Sequence, residues 1–126
     1  ISLVRERVAD NLAAKTAAYD LNFHIYGRDG VMGQLEPHPE TGAAHELGII
    51  IEATAQTQKE ADTICAFARS TMLHAGYAGR RATAGNLAFP YSPSDFSTGA
   101  VYSFSIYHLL KLDDPLSPFP IEYCMY

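Results

Sequence analysis

The chain has no tryptophan, two cysteines, and not one aspartate or glutamate between residues 63 and 94. Two cysteines, Cys65 and Cys124, make no disulfide framework, and without a CxxC pattern they make no zinc knuckle. No apolar run reaches the ~18 residues that a membrane helix needs, and nothing resembles a secretion signal. A reduced, cytoplasmic setting and no membrane partner are the expectation. Basic residues are also few: nine Lys and Arg stand against fourteen Asp and Glu, a net charge of −5. That balance argues against nucleic acid as a partner. There is no Gly-x-Ser-x-Gly elbow, no phosphate loop carrying a lysine, and no dinucleotide fingerprint, so no cofactor is expected. None of the five histidines pairs at the i, i+4 spacing of a helical metal site.

What is present fits one domain of 126 residues, with 48% apolar and only 18% charged side chains. Eight tyrosines and six phenylalanines in so weakly charged a chain imply surface that a partner covers, with a homo-oligomer expected. Charge is unevenly spread. Residues 1 to 62 hold five basic and ten acidic groups, whereas residues 63 to 94 hold Arg69, Arg80 and Arg81 alone. The middle third is therefore the expected anion-facing region. The sequence starts at Ile1 inside a helical pattern, which suggests a processed start or a part of a longer polypeptide.

Leu3, Val4, Val8, Leu12 and Ala13 recur at helical spacing and predict a helix over 2–15. Tyr19, Leu21, Phe23 and Ile25 alternate with polar neighbours, predicting a strand over 17–26 with one buried face. Gly27 to Gly30 breaks it, and residues 34–44, with Pro37, Pro39 and Gly42, read as an irregular connection. Leu47 to Ile51 is a β-branched run suited to a central strand covered on both faces. Thr57-Gln-Lys-Glu60 is a capping box, and Ala61, Ile64, Cys65, Ala68 and Met72 place a helix face after it. Gly76 and Gly79 mark that helix's end. Residues 100–110 alternate again: Tyr102, Phe104, Ile106 and His108 on one face, Val101, Ser103, Ser105, Tyr107 and Leu109 on the other, predicting a second long strand. Pro115, Pro118 and Pro120 interrupt, and residues 122–126 read as a short edge strand. The order favours an α+β fold: an open mixed or antiparallel sheet of three to four strands with two helices on one face.

The segment with most to say is Gly85-Asn-Leu-Ala-Phe-Pro-Tyr-Ser-Pro-Ser-Asp95. It is stiffened by two prolines and interleaved with Leu87, Phe89 and Tyr91, the composition of a shaped loop rather than a linker. Arg80 and Arg81 with Gly85 and Asn86 form a composite suited to a carboxylate or a phosphate: arginine offers a planar fork, glycine close backbone approach, asparagine a donor and an acceptor. The competing reading has solvated arginines and an Asn86 that only shapes the loop. Ser92, Ser94 and Cys124 are the candidate nucleophiles, and Asp95 either accepts a proton or caps the following turn. Arg28 to Gly33 has glycines that let amides approach an anion, against a plain turn. A tertiary metal site would need His24, His45 and His108 to converge.

Four blocks, Tyr26-Gly-Arg-Asp-Gly-Val-Met-Gly33, His45-Glu-Leu-Gly48, Gly85 to Asp95, and Val101-Tyr-Ser-Phe-Ser-Ile-Tyr-His108, resemble the C-terminal part of the acyclic terpene utilisation (AtuA-like) family, over nearly the whole chain after residue 17. The resemblance implies a larger protein whose N-terminal α/β portion lies elsewhere or comes from a partner subunit. It also implies bacterial breakdown of isoprenoid or branched acids as CoA thioesters. It carries no catalytic residues over. Two functions follow as expectations. One is a substrate-side or accessory domain binding an anionic carboxylate or CoA thioester through Arg80, Arg81, Gly85, Asn86, Ser92, Ser94 and Asp95. The other is a non-catalytic oligomerisation or interdomain assembly module.

Overall fold

A computed structural model describes residues 1–12, 18–38, 42 and 44–125. The expected helical turn at 13–15, Pro39 and Tyr126 lie outside the described residues. Helix α1 runs Ser2–Leu12, strand β1 Tyr19–Tyr26, strand β2 Gly48–Ala55 and helix α2 Gln58–His74, with a 3-10 turn at Gly33–Leu35. The class is α+β, as expected, but among the described residues the sheet has two strands.

Each helix buries a stripe at i, i+4, i+8: Val4, Val8 and Leu12 on α1; Ile64, Ala68 and Met72 on α2. Leu3, one position off that stripe, is exposed. These six residues and Leu21 form the core, with Phe23, Ile49, Ile51 and Phe67 packed around them. The capping box at the start of α2 is fully made. Glu60 N donates to Thr57 Oγ1 at 3.3 Å, and Thr57 N donates to Glu60 Oε2 at 3.1 Å, so two otherwise orphaned helix-end amides are satisfied.

Strands β1 and β2 pair antiparallel from Tyr19 opposite Ala55 to Tyr26 opposite Gly48. Leu21, Phe23, Ile49, Ile51 and Ala53 face the helices. The other face carries Asp20, Asn22, His24 and Tyr26 opposite Thr54, Glu52, Ile50 and Gly48. On that face Ile50 is 53% exposed, and His24 Nε2 lies 3.7 Å from Glu52 Oε2. The isoleucine run therefore does not make a central strand covered on both sides. Among the described residues, helices lie on one face only, and β2 has a single neighbour.

The turn after β1 explains its glycines. The amides of Arg28, Asp29 and Gly30 all donate to Ile25 O at 2.9–3.1 Å. A Cβ on Gly30 would sit 2.8 Å from Ile25 C and Tyr26 N, so no side chain fits there. With these three amides spent on one carbonyl and the Gly33 amide donating to Asp29 O at 2.7 Å, none of the four is held out toward an anion.

Residues 100–110, expected as the second long strand, form no strand and pair with no other strand among the described residues, and no short strand is present at 122–125. Tyr102 is 89% exposed and Leu109 fully so, with Val101, Phe104, Ile106, Tyr107 and Leu110 also in solvent. Phe104 and Tyr107 meet edge to face at 5.0 Å, a contact across three residues that a flat strand would not allow. The alternation is present in the sequence; among the described residues no partner strand is.

Candidate functional site

The segment from Gly85 to Ser97 is held along the length of α2 by side chains at four points. At its start, Asn86 finishes the helix. Its Nδ2 donates to Met72 O at 3.0 Å and to Ala75 O at 2.8 Å, and its backbone N donates to Leu73 O at 2.9 Å. The last carbonyls of a helix have no partner within it, and Asn86 supplies three donors to them from outside. Gly85 makes this approach feasible. Its φ is +135°, and a Cβ there would come within 2.5 Å of Leu73 Cδ1. The helix thus ends at His74, and Asn86 is the residue that terminates it, ahead of the Gly76 and Gly79 expected in that role.

Leu87 next packs against the hydrophobic core. About a turn and a half back along α2, Arg69 gathers the far end of the loop. Its Nε lies 2.7 Å from Asp95 Oδ1, and its guanidinium sits 5.8 Å from the Phe89 ring centroid. The Nε–H is not aligned with that oxygen, so the contact is an ion pair rather than a hydrogen bond. Both side chains are about a third exposed, 30% for Arg69 and 38% for Asp95, which limits its strength. Ser94 Oγ donates to the same Asp95 oxygen at 3.4 Å. Finally, Ser97 Oγ donates to Asp62 Oδ1 at 3.1 Å, near the start of α2.

The expected site residues therefore fall into two groups. Arg80, Gly85 and Asn86 meet at the C-terminal end of α2, where Arg80 Nη1 donates to His74 O at 3.4 Å. Ser94 and Asp95 meet at Arg69. Arg81 and Ser92 are exposed and belong to neither group. Two buried polar atoms at the helix end are unmatched: Arg80 Nε, a donor, and Asn86 Oδ1, an acceptor. Both amide hydrogens of Asn86 are already committed to carbonyls, so its remaining group is an acceptor. Tyr91 is 69% exposed and Phe89 42%, and Phe89 is held by its contact with the Arg69 guanidinium.

Cys65 lies one helical turn before Arg69, and its Sγ is 3.5 Å from Ile51 O. Burial pushes its thiol pKa up. The carboxylate of Asp95 adds to that, Arg69 opposes it, and Asp62 adds a little more. A thiol held protonated is a poor nucleophile, which makes Cys65 a packing residue. Among the described residues no three His, Cys, Asp or Glu side chains come together as a metal site, and His24, His45 and His108 do not converge. Two open depressions are lined by Arg5, Tyr19, Asp20, Leu21 and Asn22, and by Ser103, Phe104, Ser105, Ile106 and His108. Neither contains a residue of the expected site.

Arg69 and Asp62 were not singled out by sequence as loop anchors. Both reach across more than 25 residues of chain, and the only local sign is that Arg69 is the one cation of α2 in the acid-free stretch that leads to a loop ending in Asp95. Among the described residues, no helix is long and apolar enough to cross a membrane. No family model, curated protein or solved structure matches the chain.

Proposed function

We propose that this chain is an assembly domain whose residues 98–125 are an arm that docks on a surface outside its own body. The observation that carries the reading is the contrast at Ser97. Before it, the chain is tied to α2 by hydrogen bonds, an ion pair and core packing. After it, large apolar side chains from Val101 to Met125 stand in solvent. Monomeric proteins rarely leave so continuous an apolar stretch uncovered unless it is an interaction surface. The three- to four-stranded sheet suggested by the alternation at 100–110 would then form on assembly. The AtuA-like resemblance supports placing such a domain in an enzyme of CoA-thioester or organic-acid catabolism, next to an N-terminal domain or a partner subunit.

The test is Ile106→Asp in the full chain, at concentrations dilute enough to keep it monomeric, read as the urea midpoint. An arm that does not pack at home leaves monomer stability within about 0.5 kcal/mol. A loss above about 2 kcal/mol, as for a charge placed in a core, would show the arm belonging to its own fold and refute the reading.

A second reading has its own observation. Among the described residues, Arg80 Nε is a buried donor without an acceptor, and the neighbouring exposed Arg81 makes no ion pair, as a pair awaiting a carboxylate or a CoA phosphate would be. On it, Arg80 and Arg81 bind the anion, with Gly85, Asn86, Ser92, Ser94 and Asp95 shaping the rim. Calorimetry with acetyl-CoA on wild type and Arg81→Ala tests it. Equal affinities, or no binding by either, would remove it.

A further inference from the structure

We infer that the surface the arm covers is a second copy of this chain, with each copy laying residues 100–110 along a sheet edge of the other. This rests on the assembly reading and names its partner.

The first argument is area. The chain exposes 11025 Å², whereas a compact folded monomer of 13.8 kDa exposes about 6,600 Å². The excess of about 4,400 Å² is several times the ~800 Å² that each partner contributes to a stable dimer. Covering a fraction of it is enough.

The second argument is complementarity. A two-stranded sheet leaves an outer edge on each strand, and such a sheet gains most from a third strand. The missing strand and the vacant edge are on the same polypeptide. Two copies can therefore satisfy each other with one contact made twice, which closes as a two-fold dimer. An arm exchanged in this way needs no surface that this chain lacks.

The third argument is charge. From Thr98 to Leu110 there is no Asp, Glu, Lys or Arg, and no proline. Exposed strands that must stay single are usually guarded by lysine, proline or an inward-facing charge. This one has no such guard, and it offers no charge by which to select an acidic or basic partner. Its root is also fixed. Ser97 on Asp62 and Asp95 on Arg69 set where the arm leaves the body, so it emerges from one defined place beside α2. Docking would require Phe104 and Tyr107 to separate, since a flat strand sends them to opposite faces.

The test uses the full chain at high micromolar concentration. Light scattering should give twice the monomer mass. In a mixture of 13C-labelled and unlabelled chains, isotope-filtered NOEs should connect arm protons of one copy to β1 or β2 protons of the other. Ile106→Asp should abolish both and return a folded monomer. A dimer whose arm shows NOEs only within its own chain would overturn the exchange. A monomer with a protected arm would overturn both this inference and the assembly reading. A monomer with an unprotected arm would overturn the second copy as partner and leave the assembly reading standing.

Discussion

Replacing Asn86 separates a helix-finishing residue from a ligand-binding one. Its side chain gives two hydrogen bonds to α2 carbonyls, at 3.0 and 2.8 Å. Each contributes about 1 kcal/mol net, and removing the side chain also leaves two carbonyls under-satisfied at a partly buried helix end. Against that, Asn86→Ala deletes Oδ1, a buried acceptor with no partner, which returns about 1 kcal/mol. The balance is a loss of about 1–2 kcal/mol. With a urea m-value of about 1–2 kcal/mol/M, the midpoint should fall by about 1 M. Asn86→Asp should cost more. It turns a double donor into an acceptor facing acceptors, and it puts negative charge at the negative end of the helix dipole. The introduced carboxyl has its folded-state pKa raised, so its penalty is absent below the unfolded-state pKa and grows as the pH rises through the folded-state value. Acidification should therefore narrow the gap between Asn86→Asp and Asn86→Ala. Urea melts of the three proteins at pH 7 and pH 4 provide the assay. A midpoint for Asn86→Ala within error of wild type, or Asp tolerated as well as Ala at pH 7, would refute the argument.

Other perturbations follow from the same geometry. Gly85→Ala forces a side chain into Leu73 at a positive φ and should destabilise by more than about 1 kcal/mol, measured by thermal melting. Thr57→Ala removes the capping box and should cost about 1 kcal/mol in urea denaturation; no change would mean that the cap contributes nothing. Ile64→Ala, at a fully buried position, should cost about 2–5 kcal/mol by the same measurement. Cys65 should react with a thiol reagent more slowly than exposed Cys124 at neutral pH, and Asp95→Asn should speed it, because Asp95 helps hold the thiol protonated. The thiol pKa is raised in the folded state. Its contribution to stability is therefore intact below the unfolded-state pKa and is lost as the pH rises through the folded-state one.

Local chemistry made the first half of the fold readable. The capping box, the i, i+4 stripes and the alternation over 19–26 each depend on neighbours within a few residues, and all appear in the structure. The isoleucine run at 49–51 misled for a physical reason: β-branched residues suit any strand, and whether one face or two is covered depends on how many layers pack on it. Residues 100–110 show the same limit. Alternation defines two faces but carries no information on which strand, or which chain, supplies the hydrogen bonds. In the candidate site, the loop's importance was legible from its prolines and rings, but its anchors were not. Asn86 reaches helix carbonyls 11 and 14 residues away, and Arg69 meets Asp95 only because the loop folds back along α2. Such pairings follow from tertiary placement, which no local pattern encodes.

Hydrogen exchange on the amides of residues 100–110 in the full chain, followed across a dilution series, tests the central claim most directly. Arms covered by a second copy are slow to exchange at high concentration, and they lose that protection together on dilution while the α2 amides keep theirs. Protection that persists unchanged at the lowest concentration would place the arm in its own sheet, and amides that exchange freely at every concentration would show that no copy ever covers it.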